Sequence, residues 1–265
     1  MSLAHVLAAS RAARNLVLLG DPRQLQQPQR GAHPEGAEVS ALSHLLGGRD
    51  TIPPHLGLFL ETTWRLAPSI CSFTSELYYE NRLAAHPTVT RQAVLISGDL
   101  AGTGPIFVPV EHQANQSRSD EEVNVVRHLL DRLVESGSRW IDARGETRPL
   151  GLGDILVVAP YNAQVAALIA ALPSGARVGT VDKFQGQEAA VVIYSMTSSS
   201  ASDAPRGMDF LFDPHRLNVA TSRARCLCIL VASPAVFRPD CKTPKQMRFA
   251  NGLCRFLELA RKVQA

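Results

Sequence analysis

Lysine is scarce in this chain. It occurs only at Lys183, Lys242, Lys245 and Lys262, so the rest of the 27 basic residues are arginine. Arginine grips phosphate through a planar fork where lysine offers a point charge, although a GC-rich coding sequence accounts for the skew at least as well. None of the lysines follows a glycine, so the Gly-Lys-Ser/Thr end of a phosphate-cradling loop is absent. No Asp or Glu precedes Asp21. No apolar run is long enough for a membrane-spanning helix. Met1 to Arg11 has no basic n-region and only a short, broken apolar run, so it does not read as a signal peptide. It reads instead as an amphipathic helix entered midway. The cysteines (Cys71, Cys226, Cys228, Cys241, Cys254) lack zinc-binding spacing and imply no disulfide framework, which fits a reducing cytoplasm. Net charge is only +3, so any contact with nucleic acid has to be local.

What is present is ordinary core material, 45% hydrophobic and 19% charged. Short apolar runs alternate with helical spacings. Asn15 to Leu19 reads as a buried strand closed by Gly20-Asp21-Pro22. Glu38 to Leu46 reads as a helix, and the Leu-Gly-Leu-Phe-Leu run ending at Leu60 as a short strand. Helices are expected from about Pro68 to Tyr79, Asp120 to Glu135 and Asn162 to Leu172. Strands are expected at Asp154 to Ala159, Arg177 to Val181, Ala190 to Tyr194 and Cys226 to Val231. Asp213-Pro214 opens a helix running to about Arg225, and a last helix covers Pro244 to Arg261. Residues 98–118 and 136–153 read as surface connections, and Ser198 to Gly207 as a mobile small-residue loop. Strands rich in Val, Ile and Leu between helices predict a parallel sheet covered on both faces. Chemistry is then expected just after the strands, at their carboxyl ends.

Four segments that follow expected strands stand out, the third of them more polar than a connection needs. In Gly20-Asp-Pro-Arg-Gln-Leu25, an ordinary turn on its own, Gln24 is able to hydrogen-bond a phosphate oxygen or an attacking water. Arg65 lies in Glu61-Thr-Thr-Trp-Arg-Leu-Ala-Pro, between a strand and a helix, where a surface arginine is the plain reading. Val178-Gly-Thr-Val-Asp-Lys-Phe-Gln-Gly-Gln-Glu188 is mostly polar or glycine between two apolar strands. There Thr180 and Lys183 suit a phosphodiester backbone, and Glu188 suits a ribose. In Leu217 to Arg225, Leu217, Ala220 and Ala224 share an apolar face, and Arg223 projects elsewhere, as an exposed, ion-paired arginine would.

Taken in order, these segments resemble superfamily 1 helicases of the group that includes the RNA-surveillance helicases, with a nearest likeness to bacterial helicases fused to a RecB-like nuclease. Gly20 to Leu25 resembles motif III, Trp64-Arg65 the arginine motif of the second motor domain, and Tyr161-Asn162-Ala-Gln164 a nucleic-acid-contacting motif. Val181 to Glu188 resembles motif V, and Asn218 to Arg225 motif VI. The resemblance implies an α/β, RecA-like P-loop NTPase fold. Residues 1–50 would be the remnant of a first RecA-like motor domain and residues 51–265 the second. It implies catalytic roles for Gln24, Arg65 and Arg223, and nucleotide contacts from Gly20, Asp21, Gly186, Glu188 and Arg225. It implies nucleic-acid contacts from Tyr161, Asn162, Gln164, Thr180 and Lys183, and no metal ligand of the chain's own. ATP and Mg2+ would be the cofactors, both requiring an N-terminal RecA-like domain. Single-stranded DNA or RNA would be the partner, with a nuclease domain left open.

The missing phosphate loop and acidic pair make Met1 read as an internal methionine, and the chain alone is expected not to hydrolyse ATP usefully. A non-catalytic binding or regulatory module derived from a helicase is the alternative, weakened by the retention of Gln24, Arg65, Glu188 and Arg223. A Rossmann-type enzyme is disfavoured, because Gly102-Thr-Gly104 lacks a third glycine.

Overall fold

A computed structural model describes residues 1–25 and 39–264. Helix α1 (Leu3–Ser10) is capped by Ser2, whose hydroxyl accepts the His5 N–H, and it buries no residue. Helix α2 (Ala41–Leu46) starts at its cap Ser40 and ends on Gly47, whose φ of 57° is left-handed. The expected start at Glu38 lies outside the described residues. Strand β1 (Thr62–Thr63) is followed by α3 (Pro68–Tyr78), with proline in its first turn, and by β2 (Ala84–Ala85), which pairs with β1. Next come β3 (Ala93–Leu95), β4 (Gly104–Pro109) and α4 (Asp120–Leu133). Helix α4 carries Asp120, Glu121 and Glu122 in its first turn and Arg132 in its last, the arrangement a helix dipole favours.

A hairpin, β5 (Arg139–Ile141) and β6 (Thr147–Pro149), joins β3 in an antiparallel sheet. The remaining elements are β7 (Ile155–Ala159), α5 (Asn162–Ala171), β8 (Arg177–Thr180), β9 (Ala189–Ser195), α6 (Met208–Leu211), α7 (Pro214–Ser222), β10 (Ala224–Ala232), α8 (Pro244–Leu259) and β11 (Arg261–Lys262).

The central sheet has six strands in the order β11-β4-β10-β9-β7-β8, and every pair is parallel. Its inner strands are buried on both faces, which is why they read as continuous apolar runs rather than as alternation. Helices α4 and α5 cover one face through residues such as Val126, Leu130 and Leu168. Helices α3, α7 and α8 cover the other through Ile70, Phe73, Leu217, Leu253 and Phe256. This is the expected α/β layering of a RecA-like domain.

One irregularity positions chemistry. The pairing of β10 with β9 shifts between Ala224 and Leu227, so one extra residue sits in β10. Cys226 therefore packs on one face of the sheet and Cys228 on the other. In a regular strand they would share a face.

Several sequence expectations are corrected. Residues 15–19 form no strand, and Val17 and Leu19 are 83% and 92% exposed. Apolar character alone makes no strand when no neighbouring strand takes up its backbone groups. The run ending at Leu60 is likewise irregular, and strand pairing begins only at Thr62. Residues 98–118 are not a surface connection, because they contain β4, an inner strand between β10 and β11. Residues 136–153 hold the β5–β6 hairpin. Helix α7 stops at Ser222, and Arg225 already belongs to β10. Ser198 and Ser199, expected in a mobile loop, are buried.

Two outcomes follow from this burial. Amides of Leu16 to Leu19 exchange with solvent at near-unprotected rates while those of β9 and β10 persist. Strong protection of Leu16 to Leu19 overturns the placement of that segment. Ile193→Ala, which removes a fully buried side chain from β9, lowers unfolding free energy by about 2–5 kcal/mol in a denaturant titration.

Candidate functional site

The polar residues singled out in the sequence divide between opposite ends of the central sheet. The first group lies at the amino-terminal edge, contrary to the expectation that chemistry follows the strands. Glu188 immediately precedes β9, Arg223 immediately precedes β10, and Arg225 is the second residue of β10, at the bulge. Arg65 arrives from the turn before α3. Glu188 is gripped on both carboxylate oxygens, Oε2 by Arg65 Nε and Oε1 by Arg225 Nη2. Arg65 Nη1 also reaches the Ser222 carbonyl at 3.4 Å.

Arg223 is 2% exposed, not the surface arginine its helical position suggested. Its Nη2 donates to Gln24 Oε1 at 2.9 Å and its Nη1 to the Gln187 carbonyl at 3.3 Å, while its buried Nε has no partner. Gln24 in turn donates to Asp21 Oδ2 at 2.9 Å. Gln24, Arg65, Arg223, Glu188, Arg225 and Asp21 are thus assembled into one cluster from four separate segments.

Residues that the sequence reading missed hold this cluster. Tyr79 OH donates to Asp21 Oδ2 at 2.6 Å, and Asn218 Nδ2 reaches Tyr79 OH at 3.1 Å and the Arg23 carbonyl at 2.9 Å. Arg23 pairs with Asp50. Asn218 lay inside a quoted motif, but nothing marked it or Tyr79 as the anchor of residues 21–24. Gly20 and Gly186 are exposed, the latter at φ 82°.

The charge balance is uneven. Arg65, Arg223 and Arg225 outnumber the carboxylates of the cluster, Glu188, which two of them grip, and Asp21, which acts on Arg223 without touching it. Burial pulls the Arg223 guanidinium below its ordinary pKa, and the charge of Arg65 adds to the pull. Burial alone would push Glu188 upward, but hydrogen bonds and charge from Arg225 and Arg65 outweigh it and hold the carboxyl below its ordinary value. Beside Glu188 and Arg225 opens a cavity of about 400 Å³, also lined by Trp64, Gln92, Asp142 and Arg144. A site with surplus guanidinium charge, a partnerless buried N–H and an adjoining cavity suits a polyanion.

The second group lies at the carboxyl-terminal edge. Tyr161 and Asn162 follow β7, and Thr180 and Lys183 end and follow β8. Asn162 and Lys183 are exposed, whereas Tyr161 is buried against Phe210, with ring centroids 5.6 Å apart. Lys183 Nζ donates to the Val178 carbonyl at 2.8 Å. Gln164 is fully buried, which corrects its assignment as a direct strand contact. Its Oε1 accepts the Ser119 N–H at 2.8 Å, and its Nε2 donates to the Ser119 carbonyl at 3.2 Å and Ser195 Oγ at 3.0 Å. It joins a buried network that the sequence did not reveal. In that network Glu122 accepts from Ser195 Oγ (2.5 Å) and Thr197 N–H (2.9 Å) and lies 3.0 Å from His112 Nε2.

Among the described residues no group of three or more His, Cys, Asp or Glu is placed to hold a metal ion, and no helix is long and apolar enough to cross a membrane.

Comparison with known proteins places these features in a family. Residues 38–235 match the profile described as an AAA domain. The chain is 29% identical to mov-10-B.1 of Danio rerio, a helicase by name, over 85% of its own length and 25% of that protein. It is 30% identical to the DNA-binding protein SMUBP-2 of Mesocricetus auratus, over 80% of its own length and 22% of that protein. It is 24% identical to the DNA replication ATP-dependent helicase/nuclease JHS1 of Arabidopsis thaliana, over 83% and 17% respectively. The chain therefore spans a quarter or less of each of these relatives.

The Glu188 clamp gives a pH-dependent outcome. Its folded-state pKa lies below the ordinary 4.5, so its stabilising contribution is complete above that value and is lost as pH falls through the depressed one. Glu188→Gln is less stable than wild type near neutral pH, and the gap closes on acidification. Denaturant titrations between about pH 3 and 7 read this directly, and a gap that does not change with pH refutes it.

Proposed function

Because the chain belongs to the AAA-domain family of superfamily 1 helicases, we propose that it is the C-terminal motor half of an ATP-dependent nucleic-acid helicase. The observation that carries this reading is the convergence of Gln24, Arg65 and Arg223 at one edge of the sheet, with Arg223 donating to Gln24. In this reading residues 1–50 are the tail of a first RecA-like domain and residues 51–265 are the second. The exposed apolar side chains of Val17, Leu19, Leu58 and Leu60 support it, since they suit packing against a further domain.

ATP is the substrate. Water attacks the γ-phosphorus, the bond to the bridging oxygen breaks, and ADP leaves. Gln24 senses the γ-phosphate. Arg65 and Arg223 stabilise the charge on the transferring phosphoryl group, a contribution of roughly 10³–10⁵ in rate for arginine fingers. The unpartnered Arg223 Nε supports this role, since it keeps a donor in reserve. Glu188, Arg225, Gly186, Gly20 and Asp21 contact the nucleotide, and the cavity beside Glu188 suits its nucleoside end. The phosphate loop and the acidic pair for Mg2+ come from the N-terminal RecA-like domain, with or without a nuclease domain. Asn162, Thr180 and Lys183 contact single-stranded DNA or RNA, while Tyr161 and Gln164 hold that edge in shape. Closure of the cleft between the two domains then moves the strand-binding surface.

The test is ATP turnover by the purified chain with excess single-stranded DNA or RNA, beside Arg223→Ala. The expected result is no turnover above the variant, because the phosphate loop is lacking. Strand-stimulated turnover that the variant abolishes overturns the half-motor reading.

A further inference from the structure

Arg206 is distinguished from its neighbours by being held in place without being neutralised. Its guanidinium carbon lies 3.8 Å from the centroid of the Phe210 ring, and that of Arg216 lies 4.2 Å from the same ring. Phe210 packs on Tyr161 beneath. The two cations differ in their surroundings. Arg216 has a side chain only 15% exposed and reaches Asp182 at 3.2 Å and Asp213 at 3.7 Å. Arg206 is exposed and, among the described residues, makes no ion pair and no hydrogen bond. The carboxylates nearest to it in the chain are engaged elsewhere, Asp203 by Ser200 Oγ at 2.6 Å and Asp209 by Lys245 at 2.8 Å.

The segment that carries Arg206 is anchored at both ends. At its start, Ser198 Oγ donates to the Gln116 carbonyl at 2.7 Å, and Ser199 N–H to the Asn115 carbonyl at 2.9 Å. Thr197, at φ 73°, is fixed by the buried Glu122. At its end, Gly207 N–H closes a turn on the Ala204 carbonyl at 2.9 Å, and Ala204 is buried. Arg206 is therefore a preplaced planar cation with its donors facing solvent, at the sheet edge that carries Asn162.

We infer that Arg206, held over the Phe210 ring, binds the phosphodiester backbone of a single nucleic-acid strand. The inference deepens, and rests on, the strand-binding reading of the carboxyl edge. A guanidinium offers a fork of N–H donors that matches phosphate oxygens. Stacking on Phe210 restricts the side chain in advance, so less freedom is lost when phosphate is engaged. Contacts of this kind are made to phosphates and carry no base preference.

The experiment is fluorescence anisotropy of labelled single-stranded DNA and RNA oligonucleotides of mixed and homopolymer sequence, titrated with the 265-residue chain across a salt series. Arg206→Ala is expected to weaken binding by about threefold to tenfold for every sequence, and to reduce the slope of log affinity against log salt by about 0.7, the value for one phosphate contact on a single strand. Arg206→Lys keeps the slope and recovers part of the affinity. Phe210→Leu removes the platform but not the charge, so it weakens binding with the slope unchanged. If wild type binds and Arg206→Ala matches it in affinity and slope, the inference falls and the strand surface stands. If wild type binds neither strand, both fall together.

Discussion

Glu188 sits between two guanidinium groups, and the amino edge of the sheet is organised around that arrangement. Without the carboxylate, Arg65 and Arg225 would face each other and Arg223 in a half-buried setting with only the more distant Asp21 to compensate them. Charges removed from water in this way are tolerated only when paired and hydrogen-bonded. One carboxylate serves both arginines, one oxygen each, and the β10 bulge brings Arg225 to it. The surplus positive charge is left with Arg223, whose neighbours Gln24 and Gln187 offer oxygens without a charge. Asn218 Oδ1, midway along α7, and Ser222 Oγ, at its end, are also buried without partners among the described residues. Polar capacity kept out of water and left unfilled costs stability, which is the pattern expected where structure is subordinated to a ligand.

The sheet also sets the distance between the two edges. At roughly 3.3 Å per residue, the length of β9 separates the arginine cluster from the carboxyl edge that carries Asn162 and Thr180 by about 20 Å. Two segments touch both ends. Residues 181–188 run from the end of β8 back to Glu188, and α7 has Arg216 in its first turn on Asp182 and Arg223 at its last on Gln24. The fold thus provides short connections between the amino and carboxyl edges of the sheet, of the kind that the proposed coupling of hydrolysis to movement would use.

Much of this architecture was legible in the sequence because burial on both faces writes continuous apolar runs, as in β7, β9 and β10, and because Asp213-Pro214 is a chemically specific helix start. What was illegible had a different origin. Strand β4 begins Gly-Pro and follows a glycine-rich stretch, so its composition imitates a loop although it lies inside the sheet. Residues 15–19 have a strand's composition and, among the described residues, no neighbour to pair with. Arg223 looked exposed because a helical wheel does not register that the chain leaves the helix at Ser222 and turns inward. The order of motifs located Gln24, Arg65, Glu188 and Arg223, but only the bulge and the Asp21–Tyr79–Asn218 chain explain how they meet. The Glu122 network joins residues from far-apart segments that are individually unremarkable polar side chains, so no local pattern announces it.

Lys183 has a further consequence, apart from any ligand. Strand β8 is an outer strand of the sheet, four residues long and, among the described residues, paired only with β7. Lys183 folds back so that its ammonium takes the Val178 carbonyl. An outer strand with unclaimed carbonyls is a template for another chain's backbone, and a lysine laid along it is one means by which proteins prevent such pairing. The side chain thus guards a sticky border of the molecule. Any occasion that draws Lys183 outward would uncover that border for as long as it lasts.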